Sequence, residues 1–171
     1  MSARLPFDPV ERAGQSWAKH YPDAGEDTYA AMRAVTSIMR AQQILIGNLD
    51  ATLRAFNLTF SRYEALVLLS FSSSGALPLS KIGERLQVHA TSVTNVIDRL
   101  EASGFVTREP NPRDGRGTLA VLTESGRSVV QAATEELHRT AFGLQGLHTA
   151  ELQQLFAILR RLRIDAGDFT D

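Results

Sequence analysis

Apolar residues recur at helical spacing over most of the chain, with i, i+3, i+4 and i+7 repeats that predict a mainly α-helical fold. The longest such segment, Thr28–Phe56, contains no proline. As one helix it would be about 42 Å long at 1.5 Å rise per residue. A shorter helix is expected around Val10–His20, in a stretch bounded by prolines. Because the long helix would extend beyond the core of a small domain, we expect it to pack against a second chain.

Three shorter helices are predicted after the long one. Ser61-Arg62-Tyr63-Glu64 matches a capping box at the start of the first. Ser80 is the expected cap of the second, which is short, and the break at Gln87-Val88-His89 precedes the third. This third helix, Ala90–Ser103, ends where Gly104 occupies the position after its last turn.

A β-hairpin and two more helices complete the pattern. The strand-like runs Phe105–Arg108 and Thr118–Leu122 flank a tip rich in turn-forming and charged residues. The next helix follows Thr123 with an apolar stripe reaching Ala141, and Thr149 is the expected cap of the last. Helix, short helix, turn, helix and hairpin in this order form a winged helix-turn-helix.

The predicted fold is therefore mainly α with a small β-hairpin wing, a winged helix-turn-helix joined to a helical dimerisation region. Residues 1–27 form an N-terminal extension. Residues 28–57 and 124–168 are expected to form the helical dimerisation region, and residues 58–123 are expected to form the winged helix-turn-helix domain.

The helix Ala90–Ser103 has an apolar and a polar side. At 100° per residue, the apolar side consists of Val93, Val96, Ile97 and Leu100. The opposite side carries short polar groups and an arginine, at Thr91, Asn95 and Asp98, flanked by Thr94 and Arg99. Hydroxyl, amide and guanidinium groups hydrogen-bond base edges and phosphates in a major groove. An ordinary solvated helix face is the alternative.

Arginines at the hairpin tip suggest a second contact with DNA. Arg113 and Arg116 lie among glycines, and a slim basic ribbon fits a minor groove, whose negative potential attracts guanidinium groups. A solvated loop is the alternative. The full set of candidate DNA-binding residues is Ser61, Arg62, Ser80, Lys81, His89, Thr91, Ser92, Thr94, Asn95, Arg99, Arg113 and Arg116.

Composition and charge narrow the function classes. The net charge is −1, but residues 80–116 hold six basic and five acidic side chains, a weak local excess that favours DNA only slightly. The absence of cysteine excludes disulfides, cysteine-ligated metals and thiol sensing. The four histidines lack metal-binding spacing, and no nucleophile elbow or phosphate-binding glycine loop is present. We therefore expect no metal, no cofactor and no enzymatic activity. No membrane span or secretory signal is expected, which suggests a cytoplasmic protein.

Two segments resemble the MarR family of bacterial transcriptional regulators. Arg108, Asp114-Gly115-Arg116 and Leu122-Thr123-Glu124 with Gly126 are similar to the wing signature of that family. Residues 93–101 with Gly104-Phe105-Val106 are similar to its recognition helix and the turn that follows. Gly115 stands where many members have a basic residue, which leaves open whether Arg113 or Arg116 reaches deepest into the groove.

The resemblance implies a homodimer that presents two winged units to double-stranded DNA at a pseudo-palindromic operator. Such regulators commonly repress, and many release DNA when a small aromatic or organic acid binds between the dimerisation and DNA-binding parts. A winged-helix module that contacts only other proteins is the alternative function.

The N-terminal extension resembles the urate-sensing branch of this family, in which an N-terminal helix contributes a tryptophan to the ligand pocket. Here Trp17 is the only tryptophan, whereas Glu64 and Val96 stand where that branch has aspartate and arginine. The candidate ligand-binding residues are Trp17, Arg40 and Glu64, in a pocket between the long helix and the helix that follows it. Packing of Trp17 against the long helix is the alternative.

Overall fold

The computed structural model describes residues 4–112, 114 and 117–170. Within them, the chain forms helices and one small sheet, which confirms the mainly helical winged fold. The helices are α1 (Pro9–His20), α2 (Glu26–Leu53), α3 (Phe60–Phe71), α4 (Leu79–Leu86), α5 (Ala90–Ala102), α6 (Glu124–Arg139) and α7 (Thr149–Asp165). The strands are β1 (Ala76–Pro78), β2 (Val106–Pro110) and β3 (Thr118–Leu122). None of the helices in the described residues is long and apolar enough to cross a membrane.

The chain divides into two compact units, Met1–Asn48 and Leu49–Asp171. In the first, α1 begins where the Asp8 carboxylate accepts a hydrogen bond from the Val10 N–H at 2.8 Å. A Cβ atom at Gly14 would lie 2.9 Å from Cδ of Arg33, so α1 packs closely on the first half of α2. The N-terminal segment is therefore an ordered helix, as the pattern predicts for Val10–His20.

In the second unit, a continuous core joins α3, α4, α5, the sheet and α6. Its fully buried side chains include Leu66, Leu69, Ile82, Ile97, Leu100, Val106 and Leu137. The sheet has the antiparallel order β1-β3-β2, with Leu77 paired to Ala120 and Ala120 paired to Arg108. The hairpin predicted for the wing is present, and β1 adds a third strand that the sequence pattern does not reveal.

Three predicted helix caps are wrong. Ser61 lies inside α3, whose N-cap is Thr59, and the Asp50 carboxylate accepts from the Phe60 N–H at 2.7 Å. Ser80 is the second residue of α4, which follows Pro78. Thr149 is the first residue of α7, and His148 caps this helix together with Glu151. At α3 the neighbouring hydroxyl does not decide the start, because the Asp50 carboxylate, ten residues away, accepts from the Phe60 N–H instead.

The apolar stripe of α6 also stops earlier than the sequence predicts. The helix ends at Arg139, and Ala141 and Phe142 adopt positive φ angles of 42° and 51°. A left-handed backbone cannot continue a right-handed helix. Ala141 therefore belongs to the turn between α6 and α7.

Candidate nucleic-acid interface

Helix α5 is anchored by one side and leaves the other exposed. Val93, Ile97 and Leu100 are buried in the core of the second unit. The exposed side carries the polar residues predicted from the sequence, namely Thr91, Ser92, Thr94, Asn95, Asp98 and Arg99. Val96, predicted to face the core, is partly buried against it. The anchored side fixes which side chains a DNA groove would meet.

Local hydrogen bonds occupy the first turn of α5. His89 is the N-cap, and its Nδ1 accepts from the Thr91 N–H at 3.3 Å and lies 3.1 Å from Oγ1 of Thr91. The Thr94 hydroxyl donates to the Ala90 carbonyl at 3.1 Å. Within the described part of the chain, no hydrogen bond involves the side chains of Asn95 or Arg99. Both side chains are therefore available to bind an outside partner.

The other candidates lie on α3 and α4. The Arg62 guanidinium donates to the Asn57 carbonyl at 3.1 Å and to the Thr59 hydroxyl at 3.2 Å, so it holds the turn before α3. Nζ of Lys81 donates to a Glu84 carboxylate oxygen at 2.7 Å, and this hydrogen bond lowers the pKa of Glu84 below its ordinary value. Ser61 and Ser80 are exposed in the first turns of their helices.

Arg108 of β2 joins the wing to α5. Its guanidinium donates to Oδ1 of Asp98 at 2.6 Å and to the Glu101 carboxylate. Burial lowers the pKa of Arg108, but the two carboxylates outweigh it and the pKa is raised overall. Arg108 belongs to the residues that resemble the wing signature, but the sequence pattern does not predict its contact with Asp98 and Glu101. Its only sequence signal is the opposite charge of residues seven and ten positions apart.

The two wing arginines, Arg113 and Arg116, lie outside the described residues. The flanking backbone is described: Asn111 N–H donates to the Gly117 carbonyl at 2.9 Å, and Gly117 N–H donates to the Asp114 carbonyl at 2.8 Å. Minor-groove contact by Arg113 and Arg116 stays a prediction.

A cavity of about 600 Å³ lies between α3 and α6. Most of its lining is apolar and aromatic, including Phe60, Val67, Leu68, Phe71, Val130 and Phe142. The Tyr63 and Thr134 hydroxyls lie 3.0 Å apart across it. Charged or titratable groups in the lining are Glu64, Arg127, Glu135 and His138. Burial raises the pKa of the Glu64 carboxyl above its ordinary value, so the cavity disfavours the ionised form.

Only one of the three predicted ligand-binding residues lies in this cavity. Glu64 lines it, whereas Trp17 and Arg40 belong to the first unit. Trp17 is partly exposed and its ring centroid lies 4.9 Å from that of Tyr21, while Arg40 is exposed on α2. The roles of Trp17 and Arg40 stay predictions. Among the described residues, no three His, Asp or Glu side chains lie together in a way that could hold a metal ion.

A family profile, sequence relatives and solved structures were compared with this chain, and they agree on one family. A sequence profile of the MarR family matches residues 59–118. The uncharacterized HTH-type transcriptional regulator YkoM of Bacillus subtilis is 36% identical over 107 residues, which cover 61% of this chain and 69% of that protein. Sco5413, a MarR family transcriptional regulator from Streptomyces coelicolor, is 58% identical with a TM-score of 0.77, covering 83% of this chain and 99% of that one.

A third protein extends the likeness in fold. Sco3205, a MarR family regulator from Streptomyces coelicolor whose crystal structure is a complex with DNA, has a TM-score of 0.72. It is 24% identical, and the match covers 78% of this chain and 89% of that one. The element order, the wing and these likenesses together show that the chain belongs to the MarR family of winged helix-turn-helix transcriptional regulators.

Proposed function

We propose that this regulator is a homodimeric repressor that binds a pseudo-palindromic operator in double-stranded DNA and releases it when a small aromatic or organic acid binds. The observation that supports DNA binding is the exposed polar side of α5, whose opposite side is buried in the core. Such a repressor acts in the cytoplasm, where bacterial DNA is located.

Helix α5 has the chemistry for reading bases. Asn95 offers an amide donor and acceptor, the pair that hydrogen-bonds adenine in the major groove. Arg99, one turn further along, offers a guanidinium for phosphate or guanine. Both are exposed, while Val93 and Ile97 fix the rotation of the helix. Sco3205, which shares the fold, was crystallised in complex with DNA, which supports DNA binding by a protein of this fold.

Apolar side chains on α7 support the homodimer. Phe156 and Ile158 are 61% and 64% exposed in the single chain, and Leu155 and Leu162 are also exposed. A cluster of this kind on one helix is typical of a subunit interface. We propose that residues 28–57 and 124–168 form this interface and that residues 58–123 bind DNA.

The cavity between α3 and α6 supports ligand control. Its volume of about 600 Å³ lies within the range of small-molecule sites, and its apolar lining suits an aromatic ring. Arg127 belongs to the lining, and its closest carboxylate partner is Glu124, at 4.0 Å. We propose that an acid ligand places its ring beside Val67 and Phe71 and its carboxylate near Arg127.

The test is binding of the wild-type protein to fluorescently labelled DNA from the intergenic region beside its own gene, followed by anisotropy. We expect saturable binding that a random duplex does not compete for at equal concentration. Aromatic carboxylates such as salicylate are then added to the complex, and we expect a subset to lower the anisotropy. Equal affinity for operator and random DNA would contradict sequence-specific binding and would favour the protein-interaction alternative.

A further inference from the structure

We propose that Arg108 is a positioning residue for DNA binding, which neutralises Asp98 and Glu101 so that α5 can approach the phosphate backbone. The inference rests on the proposed function, since it concerns the same helix. It assigns a role to a residue of the wing whose side chain contacts α5.

The three side chains form one cluster at the exposed side of α5. Asp98 follows Asn95 by one turn, in the same stripe as Thr91, and its side chain is 52% exposed. Glu101 is 39% exposed and Arg108 only 26%. The Arg108 guanidinium reaches across from β2 and donates to Oδ1 of Asp98 at 2.6 Å and to the Glu101 carboxylate.

The net charge of α5 depends on whether Arg108 compensates its carboxylates. Between Ala90 and Ala102 the helix carries two carboxylates, Asp98 and Glu101, and a single cation, Arg99. Left alone, such a helix has a net negative charge at the surface that is proposed to meet DNA. Charges within about 8–10 Å of phosphates interact with them at physiological salt. With Arg108 included, the two carboxylates and the two arginines, Arg99 and Arg108, have a net charge of zero.

A second explanation for the cluster is mechanical. Because Arg108 lies on β2 and its partners lie on α5, the ion pairs also fix the hairpin against the helix. Both explanations predict that loss of Arg108 weakens DNA binding. They differ for a variant that lacks Asp98 and Glu101 as well as Arg108. Such a variant has no uncompensated negative charge on α5, so the charge explanation predicts restored DNA affinity. The ion pairs between β2 and α5 are still absent, so the mechanical explanation predicts weak binding.

The experiment measures operator affinity and its salt dependence for the wild-type protein and four variants, each with the full chain. In Arg108→Ala, we expect affinity to fall by roughly tenfold or more for all sequences, as for loss of a charge near phosphates. In the triple variant D98N, E101Q and R108A, we expect affinity to return to within about threefold of wild type. The double variant D98N and E101Q keeps Arg108, and we expect it to bind tighter than wild type with a steeper salt dependence. The control is Arg12→Ala, which removes an arginine of α1 whose guanidinium lies over the Phe7 ring and which is expected to bind the operator like wild type.

The outcomes separate the explanations. Recovery of operator affinity in the triple variant supports neutralisation, because the ion pairs between β2 and α5 are absent in that variant too. A triple variant as weak as R108A, or an R108A protein that binds like wild type, overturns it. If thermal unfolding shows that R108A is not folded, the double variant D98N and E101Q provides the test. Operator binding by the double variant that is equal to or weaker than that of wild type overturns the proposal. Absence of operator binding by the wild-type protein is a different result, since it contradicts the proposed function itself.

Discussion

At the scale of the residue, Gly126 shows how one missing side chain positions an element. A Cβ atom on this residue would lie 2.0 Å from the Phe105 carbonyl oxygen and 2.8 Å from Cδ1 of Leu122. The first turn of α6 therefore lies directly against the backbone that follows α5. The Thr123 hydroxyl strengthens this junction, since it donates to the Gly104 carbonyl at 2.8 Å.

Replacement of Gly126 by alanine is expected to destabilise the protein by about 1–3 kcal/mol, because the new methyl group must displace backbone. The measurement is the free energy of unfolding in urea. Gly146→Ala serves as the control, since a Cβ atom there has nothing within 4 Å. Equal stability of the two variants would show that the junction adapts without cost.

Glu64 is expected to make stability depend on pH. Burial raises its pKa in the folded state above the unfolded value, so the folded state holds the proton more tightly. The stability from this group is complete at pH values below the ordinary value of 4.5 and is lost as pH rises through the folded pKa. Glu64→Gln should therefore melt at a higher temperature than wild type near pH 7, with a smaller difference near pH 4. The control is Glu135→Gln, and a Glu64→Gln difference that does not change with pH would contradict the expectation.

At the scale of the element, α5 and the wing contribute different chemistry. The helix has one side anchored by Val93, Ile97 and Leu100, so its exposed side chains have defined positions. Arg108 connects it to β2. A fixed helix is suited to reading bases, which requires precise placement of donors and acceptors. A wing with arginines needs only approach phosphates or a narrow minor groove.

Asn95→Ala and Arg116→Ala are therefore expected to differ in kind. Loss of the amide should cost about 1–3 kcal/mol and relax the preference at one position in each half-site. Loss of the wing arginine should weaken binding to most sequences and reduce the salt slope by about one per phosphate contact and subunit. The measurement is affinity for a panel of single-base operator variants at several salt concentrations. The placement of α5 at the base edges and of the wing at the backbone would be contradicted if Asn95→Ala weakened binding to every operator variant equally and Arg116→Ala changed the base preference in the major groove.

At the scale of the whole molecule, the proposed regulator needs two chains. A pseudo-palindromic operator presents two half-sites, and a two-fold protein places one recognition helix in each. The exposed apolar side chains of α7 have no cover in the single chain, which is unfavourable for a monomer in water. A stable interface of this kind buries upward of about 2,000 Å².

Phe156→Glu is expected to weaken the dimer at least about tenfold, because a charge would replace a large apolar side chain at the proposed interface. Sedimentation equilibrium over a range of concentrations measures the monomer fraction. Gln153→Glu, a polar substitution at an exposed position of the same helix, is the control. A wild-type protein that is a folded monomer at micromolar concentration would contradict the homodimer.

Features that depend on short-range periodicity follow from the order of amino acids along the chain. This order predicted the helices, the hairpin, the end of α5 just before Gly104 and the buried positions Val93, Ile97 and Leu100. The hydrophobic period along a helix is a local property, because neighbours at i+3 and i+4 face the same side. Together with the wing residues, this pattern was sufficient to indicate the family.

Features that join residues distant in the chain depend on how the elements pack in three dimensions. The strand β1 has three residues, and its pairing with β3 is what makes it a strand. Asp50 satisfies the first N–H of α3, so the local capping signal at Ser61 was misleading. Arg108 meets Asp98 and Glu101 because β2 folds back along α5. Strand pairing, long-range capping and ion pairs between elements depend on how the elements pack, and no periodicity along the chain encodes that packing.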